Sequence, residues 1–361
     1  MSDFINTVDV IGDDALTDQI IDRTVTEVKD NVVASIRAYA FYGCAALKNA
    51  DFPAVAGSLG STAFQDCSDL EMVNAPLLTG IGSLAFKNCA SLRKVNAPLA
   101  TTIGNNAFNG CTAFDGTGLD FSKIKNLQYY ALQGCNLKTV HLPVATTVGE
   151  GAFKDCKALE SVSLPAVTSL GNGVFENCTS LVSSDSIELP NSITSLPTRT
   201  FQGAGLREAN FPNIVTLQSD AFRGMPNLVS VNLPLVETMG DRCFYGCKNL
   251  TEVYMPKLTA VVTNGFYGTT SLKRLDLPKV TSIVGRAFSA DGQAALETLI
   301  LRSETMCTLD STTSFVRTPI EKGTGYIYVP RALVDTYKAD SVWSTYANQF
   351  RAIEDYPDVC G

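Results

Sequence analysis

Eleven cysteines and a single histidine, His141, are the side chains of this chain best suited to chemistry. Thiolates and imidazoles bind metals, and together they can form a nucleophile with its base. Their spacing argues against both uses. Cys44, Cys67, Cys89, Cys111, Cys135, Cys156 and Cys178 follow one another at 21 to 24 residues, and Cys247 occupies the same place in a later unit. A zinc site needs four ligands converging on one point. Thiols set in a line and pointing the same way do not converge, and they make poor disulfide geometry. Ala204, Met225, Thr269 and Asp291 replace the cysteine in other units, which suits a small core position. The cysteines therefore read as buried free thiols. Cys243 with Cys247 is a lone pair, and Cys360 near the C-terminus is the expected reactive thiol. A Cys–His nucleophile would need one of the core-column cysteines beside His141. The nearest approach to a dinucleotide fingerprint, Gly80-Ile81-Gly82-Ser83-Leu84-Ala85, is a corner that recurs in other units, and no phosphate loop is present. The acidic residues are scattered repeat by repeat. The expectation is no catalysis, no cofactor and no metal.

Composition narrows the classes further. A net charge of −8 without a basic stripe repels phosphate backbones, so no nucleic-acid partner is expected. With 45% hydrophobic and 18% charged residues the chain has ample material for a core. No run approaches the roughly 18 apolar residues of a membrane span, so no membrane insertion is expected. Met1 to Thr7 lacks the basic start and apolar core of a secretory signal, which reads as synthesis in the cytoplasm without one.

The elements that carry these residues are repeats. A marker aromatic returns as Phe41, Phe64, Phe86, Phe108, Phe153, Phe175, Phe201, Phe222, Phe244, Phe266 and Phe288, with Leu132 in the same role, at spacings of 21 to 26 residues. Around it come Leu residues, an apolar-x-apolar-Pro stretch such as Val162-Ser163-Leu164-Pro165, and an apolar-Gly corner such as Ile103-Gly104. The alternation predicts a short strand with one apolar face. The proline ends it. The Ala-Phe stretch predicts a short helical or irregular turn with Phe in the core. One unit cannot bury these groups alone, but stacked units bury them as a column. Extra residues at Asp115-Gly116-Thr117-Gly118, Ser183 to Ser186 and Asn191-Ser192 read as bulges and not as domain boundaries. Residues 1–24 read as an N-terminal cap, with Asp13-Asp14 starting a helix through Ile20 and Ile21. Residues 25–301 read as the solenoid, with a first degenerate strand near Val25 to Val28. Residues 302–361 read as a C-terminal cap: a last strand Tyr326 to Val329, then an amphipathic helix Ala332 to Tyr346 with Leu333, Tyr337 and Trp343 inward.

The unit Leu-x-x-Val-x-Leu-Pro-x-Val-Thr-x-x-Gly-x-x-x-Phe-x-x-Cys, seen at residues 159–178, resembles the BspA-like leucine-rich repeat of bacterial surface proteins. The likeness covers about residues 25–301, and Tyr326 to Ile353 is similar to the tail closing many such proteins. The resemblance implies an α/β solenoid: a right-handed leucine-rich repeat superhelix of about twelve 22-residue repeats with a parallel sheet on one face. It also implies a recognition role toward a protein or surface glycan, as a bacterial adhesin or a phage or prophage tail-associated receptor binder at the virion or cell surface. The alternative is a structural spacer or assembly component acting through its end caps.

The central residue of each Val-x-Leu strand points away from the core. The rows so defined give the expected ligand-binding residues His141, Glu188, Glu208, Asn210, Asn232, Glu252, Tyr254, Arg274 and Asp276. The hot spot falls at Tyr254 and Arg274, because Tyr and Arg dominate interface energetics.

Overall fold

The structure, a computed structural model, describes residues 24–360 and the two-residue strand Val10–Ile11. The expected N-terminal helix from Asp13 to Ile21 lies outside the described residues. The chain divides into two compact units, residues 1–181 with 186–190, and residues 182–185 with 191–361. The chain passes from one to the other around residues 182–191, at the insertion that the sequence presents as a bulge.

Each unit is a stack of turns, and each turn lays down two short parallel strands. In the first unit Glu27–Lys29, Asn49–Asp51, Met72–Asn74 and Lys94–Asn96 pair in register, and Thr139–His141, Ser161–Ser163 and Ile187–Glu188 form a second parallel set. Between these sets only a bridge from Ala97 to Leu119 remains. Asp120 there leaves the row of strand residues and caps the single turn Phe121–Lys123, accepting from the Ser122 N–H at 3.1 Å. In the second unit Glu208–Asn210, Ser230–Asn232 and Glu252–Tyr254 pair in the same way.

The apolar-Gly corners hold a further sheet that the sequence pattern does not announce. Ala56–Leu59, Leu77–Ile81, Thr102–Ile103, Asn126–Leu127, Thr147–Val148 and Ser169–Leu170 form six parallel strands. The glycine after them serves close approach. A Cβ on Gly82 would stand 2.4 Å from the Leu59 carbonyl oxygen in the turn before, so only a bare backbone lets adjacent turns meet there.

The Ala-Phe stretch is irregular, not helical. Its amides pair with the next turn at alternate residues, as with Thr62 N–H to Ser83 O at 2.8 Å, Phe64 to Ala85 at 2.7 Å and Asp66 to Lys87 at 2.9 Å. That outward-bonded course needs left-handed backbone on both sides of the marker. Thr62 and Asp66 flank Phe64 with φ of 62° each, and Leu84 and Asn88 flank Phe86 with 60° and 62°. Left-handed backbone costs a non-glycine residue roughly 1–2 kcal/mol. The cross-turn bonds and the buried ring offset it.

The markers form ring columns. Phe41, Phe64, Phe86 and Phe108 stack at 4.8, 5.5 and 5.2 Å, and Phe201 to Phe288 continue the pattern in the second unit at 5.2 to 6.0 Å. The cysteine column lies beside them. Each thiol reaches back to the marker carbonyl of the preceding turn: Cys89 Sγ to Phe64 O at 3.0 Å, Cys111 to Phe86 at 2.9 Å, Cys247 to Phe222 at 3.0 Å. A small side chain with a weak donor suits that slot. All 11 cysteines are free and buried.

The two units together hold about 15 turns, more than the twelve counted from the marker. The excess lies at both ends: Val10–Ile11 pairs in parallel with Ser35–Ile36 one turn before the first marker, and further turns follow the last one. Phe315 stacks on Phe288 at 5.4 Å and Trp343 packs on Phe315 at 5.9 Å, so the column outlasts the strict motif. Tyr326–Val329 is not the last strand, because Phe350–Ala352 pairs with it in parallel. The single expected helix Ala332 to Tyr346 is broken. Val334–Ala339 is α-helical, and Trp343–Gln349 is a separate 3-10 segment. Asp340 causes the break: its carboxylate accepts from the Val342 and Trp343 amides at 2.9 and 3.0 Å and starts the second segment. Tyr337 and Trp343 are buried, as expected, while Leu333 is only half-buried.

Phe86 is enclosed between two rings and has no exposure. Phe86→Ala should cost about 3–5 kcal/mol, whereas Ser163→Ala on the outer face should cost under about 1.5 kcal/mol. Denaturant unfolding of the two variants checks this, and equal midpoints would refute the ring column.

Burial pushes the thiols of Cys156, Cys243, Cys247 and Cys307 up to about 12, against about 8.5 in an unfolded chain. The folded state thus keeps protons that the unfolded chain releases. Stability is full below about pH 8.5 and falls as pH rises toward 12. Melting curves under reducing conditions should show this decline, and a melting temperature that rises over that window would contradict the buried column.

Candidate functional site

The open face of the strand stacks carries the nominated residues, and the two units use it differently. In the first unit the outward side chains bond along the stack. Asn74 donates to Asp51 at 2.7 Å and Asn96 to Asn74 at 2.6 Å. His141 Nδ1 meets Ser163 Oγ at 2.8 Å, and that hydroxyl donates to Glu188 at 2.5 Å. His, Ser and a carboxylate in one line suggest hydrolytic chemistry on paper. Here Ser163 sits between the other two, so the histidine and the carboxylate contact the same hydroxyl. In a catalytic triad the histidine stands in the middle, oriented by the acid. The line reads as a polar ladder. Among the described residues no three His, Cys, Asp or Glu side chains are grouped to hold a metal ion.

In the second unit Asn232 donates to Asn210 at 3.0 Å, and the register puts Tyr254 beside Asn232 and Glu252 beside Ser230. Tyr254 is 58% exposed. Glu208 and Glu252 are exposed on the same face, with no ion-pair or hydrogen-bonding partner among the described residues. Tyr254 and these two carboxylates form an uncommitted aromatic–acidic patch. The structure thus brings Glu208, Asn210, Asn232, Glu252 and Tyr254 onto neighbouring strands, and separately His141 with Glu188.

The model of the BspA type leucine rich repeat region matches residues 3–115, 116–185 and 181–295. The chain belongs to this family. A leucine-rich repeat protein from Bacteroides ovatus is similar in structure, with TM-score 0.58 and 23% identity over 89% of this chain and 88% of the other. A leucine rich cell surface protein from Faecalibacterium prausnitzii gives TM-score 0.51 and 23% identity, covering 85% of this chain and 80% of that one. These likenesses concern the fold. Curated protein sequences give no significant match.

Within this BspA-type scaffold the C-terminal segment alters the expected site. Arg302 grips Asp276 with two bonds, Nε to Oδ1 at 3.0 Å and Nη2 to Oδ2 at 2.7 Å, and also donates to the Cys360 carbonyl. Arg274 donates to Asp276 at 3.4 Å and to the Val359 carbonyl at 3.2 Å. The two residues nominated at this end therefore hold the final helix, Pro357–Cys360, onto the sheet face. Ile300 and Tyr328, which would point outward, are covered by Cys360 with Ile353 and Val359. Cys360 is consequently buried and is not the accessible thiol its terminal position suggests. Sequence reasoning missed this latch because Arg302 stands where the repeat has Pro, and its partners lie 26 and 58 residues away.

No helix among the described residues is long and apolar enough to cross a membrane.

Asp276→Ala should release Arg302 and loosen the Pro357–Cys360 helix. A thiol reagent that leaves the folded parent unlabelled should then modify one cysteine, Cys360, in the variant. Labelling of Cys360 in the parent, or continued protection in the variant, would contradict the latch.

Proposed function

We propose that this chain is a non-enzymatic recognition scaffold that binds a protein partner through the open sheet face of its second unit. The observation that carries the reading is the Tyr254 patch. An aromatic ring 58% exposed beside unpaired Glu208 and Glu252 is the kind of group that anchors interfaces, with Tyr supplying area and the carboxylates steering. The partner chemistry it suits is a basic segment carrying an apolar or aromatic side chain. Asn210 and Asn232 supply polar contacts, while Arg274 and Asp276 contribute by holding the edge of the patch in place.

The family and the cell surface protein from Faecalibacterium prausnitzii support a surface-displayed, adhesin-like role. A contact role for the C-terminal end is the second reading, favoured by the latch that draws Arg274 and Asp276 into the end structure.

A randomised peptide library selected against the folded chain should yield Lys- or Arg-rich sequences with an aromatic residue. The double variant Tyr254→Ala with Glu252→Lys should weaken the selected peptides by about tenfold or more while its melting temperature holds. Unchanged affinity in the double variant, or selection of acidic peptides, would overturn the reading.

A further inference from the structure

A groove of about 560 Å³ lies at the glycine corners of the first unit. It is formed by four consecutive turns, with Asn105, Gln128, Tyr129, Thr147, Ser169 and Leu170 as its main side chains and the backbone of Gly149 and Gly171 in its wall. Its size falls within the range of small-molecule sites. None of its lining residues carries a charge, although the chain as a whole is strongly acidic.

The groove sits where the repeat departs from its own pattern. Four residues before the marker, Gly60, Gly82, Gly104, Gly149, Gly171 and Gly240 recur, whereas this turn has Gln128, as the Phe222 turn has Gln218. At the next position other turns have Ser83, Asn105, Glu150, Asn172, Ser219 and Asp241, whereas this turn has Tyr129, the one aromatic residue at that place in the repeat. Stacking does not demand an aromatic ring at this place, because the other turns pack without one. Tyr129 remains 60% exposed, so the ring is not there to fill the core.

The two amides are held in place by backbone. The Asn105 N–H donates to Gln128 Oε1 at 3.1 Å, and the Tyr129 N–H donates to Asn105 Oδ1 at 3.1 Å. Each carbonyl oxygen is thereby occupied, which fixes each amide and leaves its NH₂ as the free end. No protein acceptor takes these NH₂ groups among the described residues, and the hydroxyls of Tyr129 and Ser169 are likewise uncommitted. The groove thus offers two pinned amide donors, two hydroxyls that donate and accept, and an exposed aromatic ring beside the half-buried Leu170.

We infer that this groove binds a neutral saccharide. A pyranose presents hydroxyls that accept from amide NH₂ groups and exchange bonds with Tyr and Ser hydroxyls, and an apolar C–H face that lies against an aromatic ring. Uncharged walls exclude the alternatives: an anionic ligand would find no cation, and a cationic one no carboxylate. The groove is open along the stack, which suits an internal stretch of a chain of sugars more than a single enclosed ring. This inference does not rest on the protein-binding face, since the two sites lie in different units and share no residue.

The test is calorimetric titration of the full chain with neutral hexasaccharides of glucose (β-1,3- and β-1,4-linked), mannose, xylose and N-acetylglucosamine, with sulfated heparin hexasaccharide as the charged control. At least one neutral probe should saturate. Tyr129→Ala should weaken it by about tenfold or more, while Tyr254→Ala leaves it unchanged; Tyr129→Ala keeps the fold because its ring is exposed, and an unchanged melting temperature verifies that. Absence of saturable binding by every neutral probe, binding indifferent to Tyr129→Ala, or preference for the sulfated probe would each overturn the inference.

Discussion

Each turn of this protein must accept the next one, and the rest of the structure depends on that demand. The Phe-centred stretch meets it most visibly. Its amides point along the stack to carbonyls of the following turn, which a helix could not allow, because a helix spends its amides internally. The left-handed residues on either side of the marker follow from this choice. So does the thiol beneath it, since the one remaining slot beside the marker carbonyl of the turn before admits a small side chain with a weak donor. Repeat proteins are held by such nearest-neighbour terms, and here those terms specify ring, sulfur, glycine and leucine as separate columns.

What the core consumes, the surface is free to vary. Outward strand positions carry no packing duty, and the first unit uses several of them for side-chain ladders such as Asn96–Asn74–Asp51. Those amides are committed to one another and offer a partner less. Tyr254, Glu208 and Glu252 are not committed, and neither are the amide NH₂ groups beside Tyr129. Two kinds of surface therefore coexist on one scaffold: self-satisfied ladders that stabilise the stack, and interruptions that leave hydrogen-bonding capacity and apolar area exposed.

The C-terminal end answers a different need. A stack exposes its last core layer unless something covers it. Trp343, Tyr337, Tyr346 and Phe350 form an aromatic cluster there. Its polar atoms close remaining backbone groups: Trp343 Nε1 donates to Cys307 O at 2.7 Å, and Tyr337 Oη accepts from the Cys307 N–H at 2.7 Å. The Arg302–Asp276 latch then folds the final helix over the outer face.

Much of this was legible in the sequence. The period, the marker rings, the buried thiols and the outward strand row follow from residue spacing, because a solenoid repeats its local environment and thus its residue types. The repeat pattern did not reveal that the turns around Gln128 and Tyr129 leave a groove. The second sheet at the glycine corners was hidden, since most of its strands are two residues long and leave no alternation to detect. The break at Asp340, the extra strand Phe350–Ala352 and the burial of Cys360 were also hidden. The bonds that Arg274 and Asp276 make to the C-terminal segment were hidden as well. Their partners, Val359 and Arg302, come from segments where the repeat has lapsed. Local pattern determines what a residue can pair with inside a period; a contact between segments that share no period is decided only when the chain has folded and brought their charges within hydrogen-bonding distance.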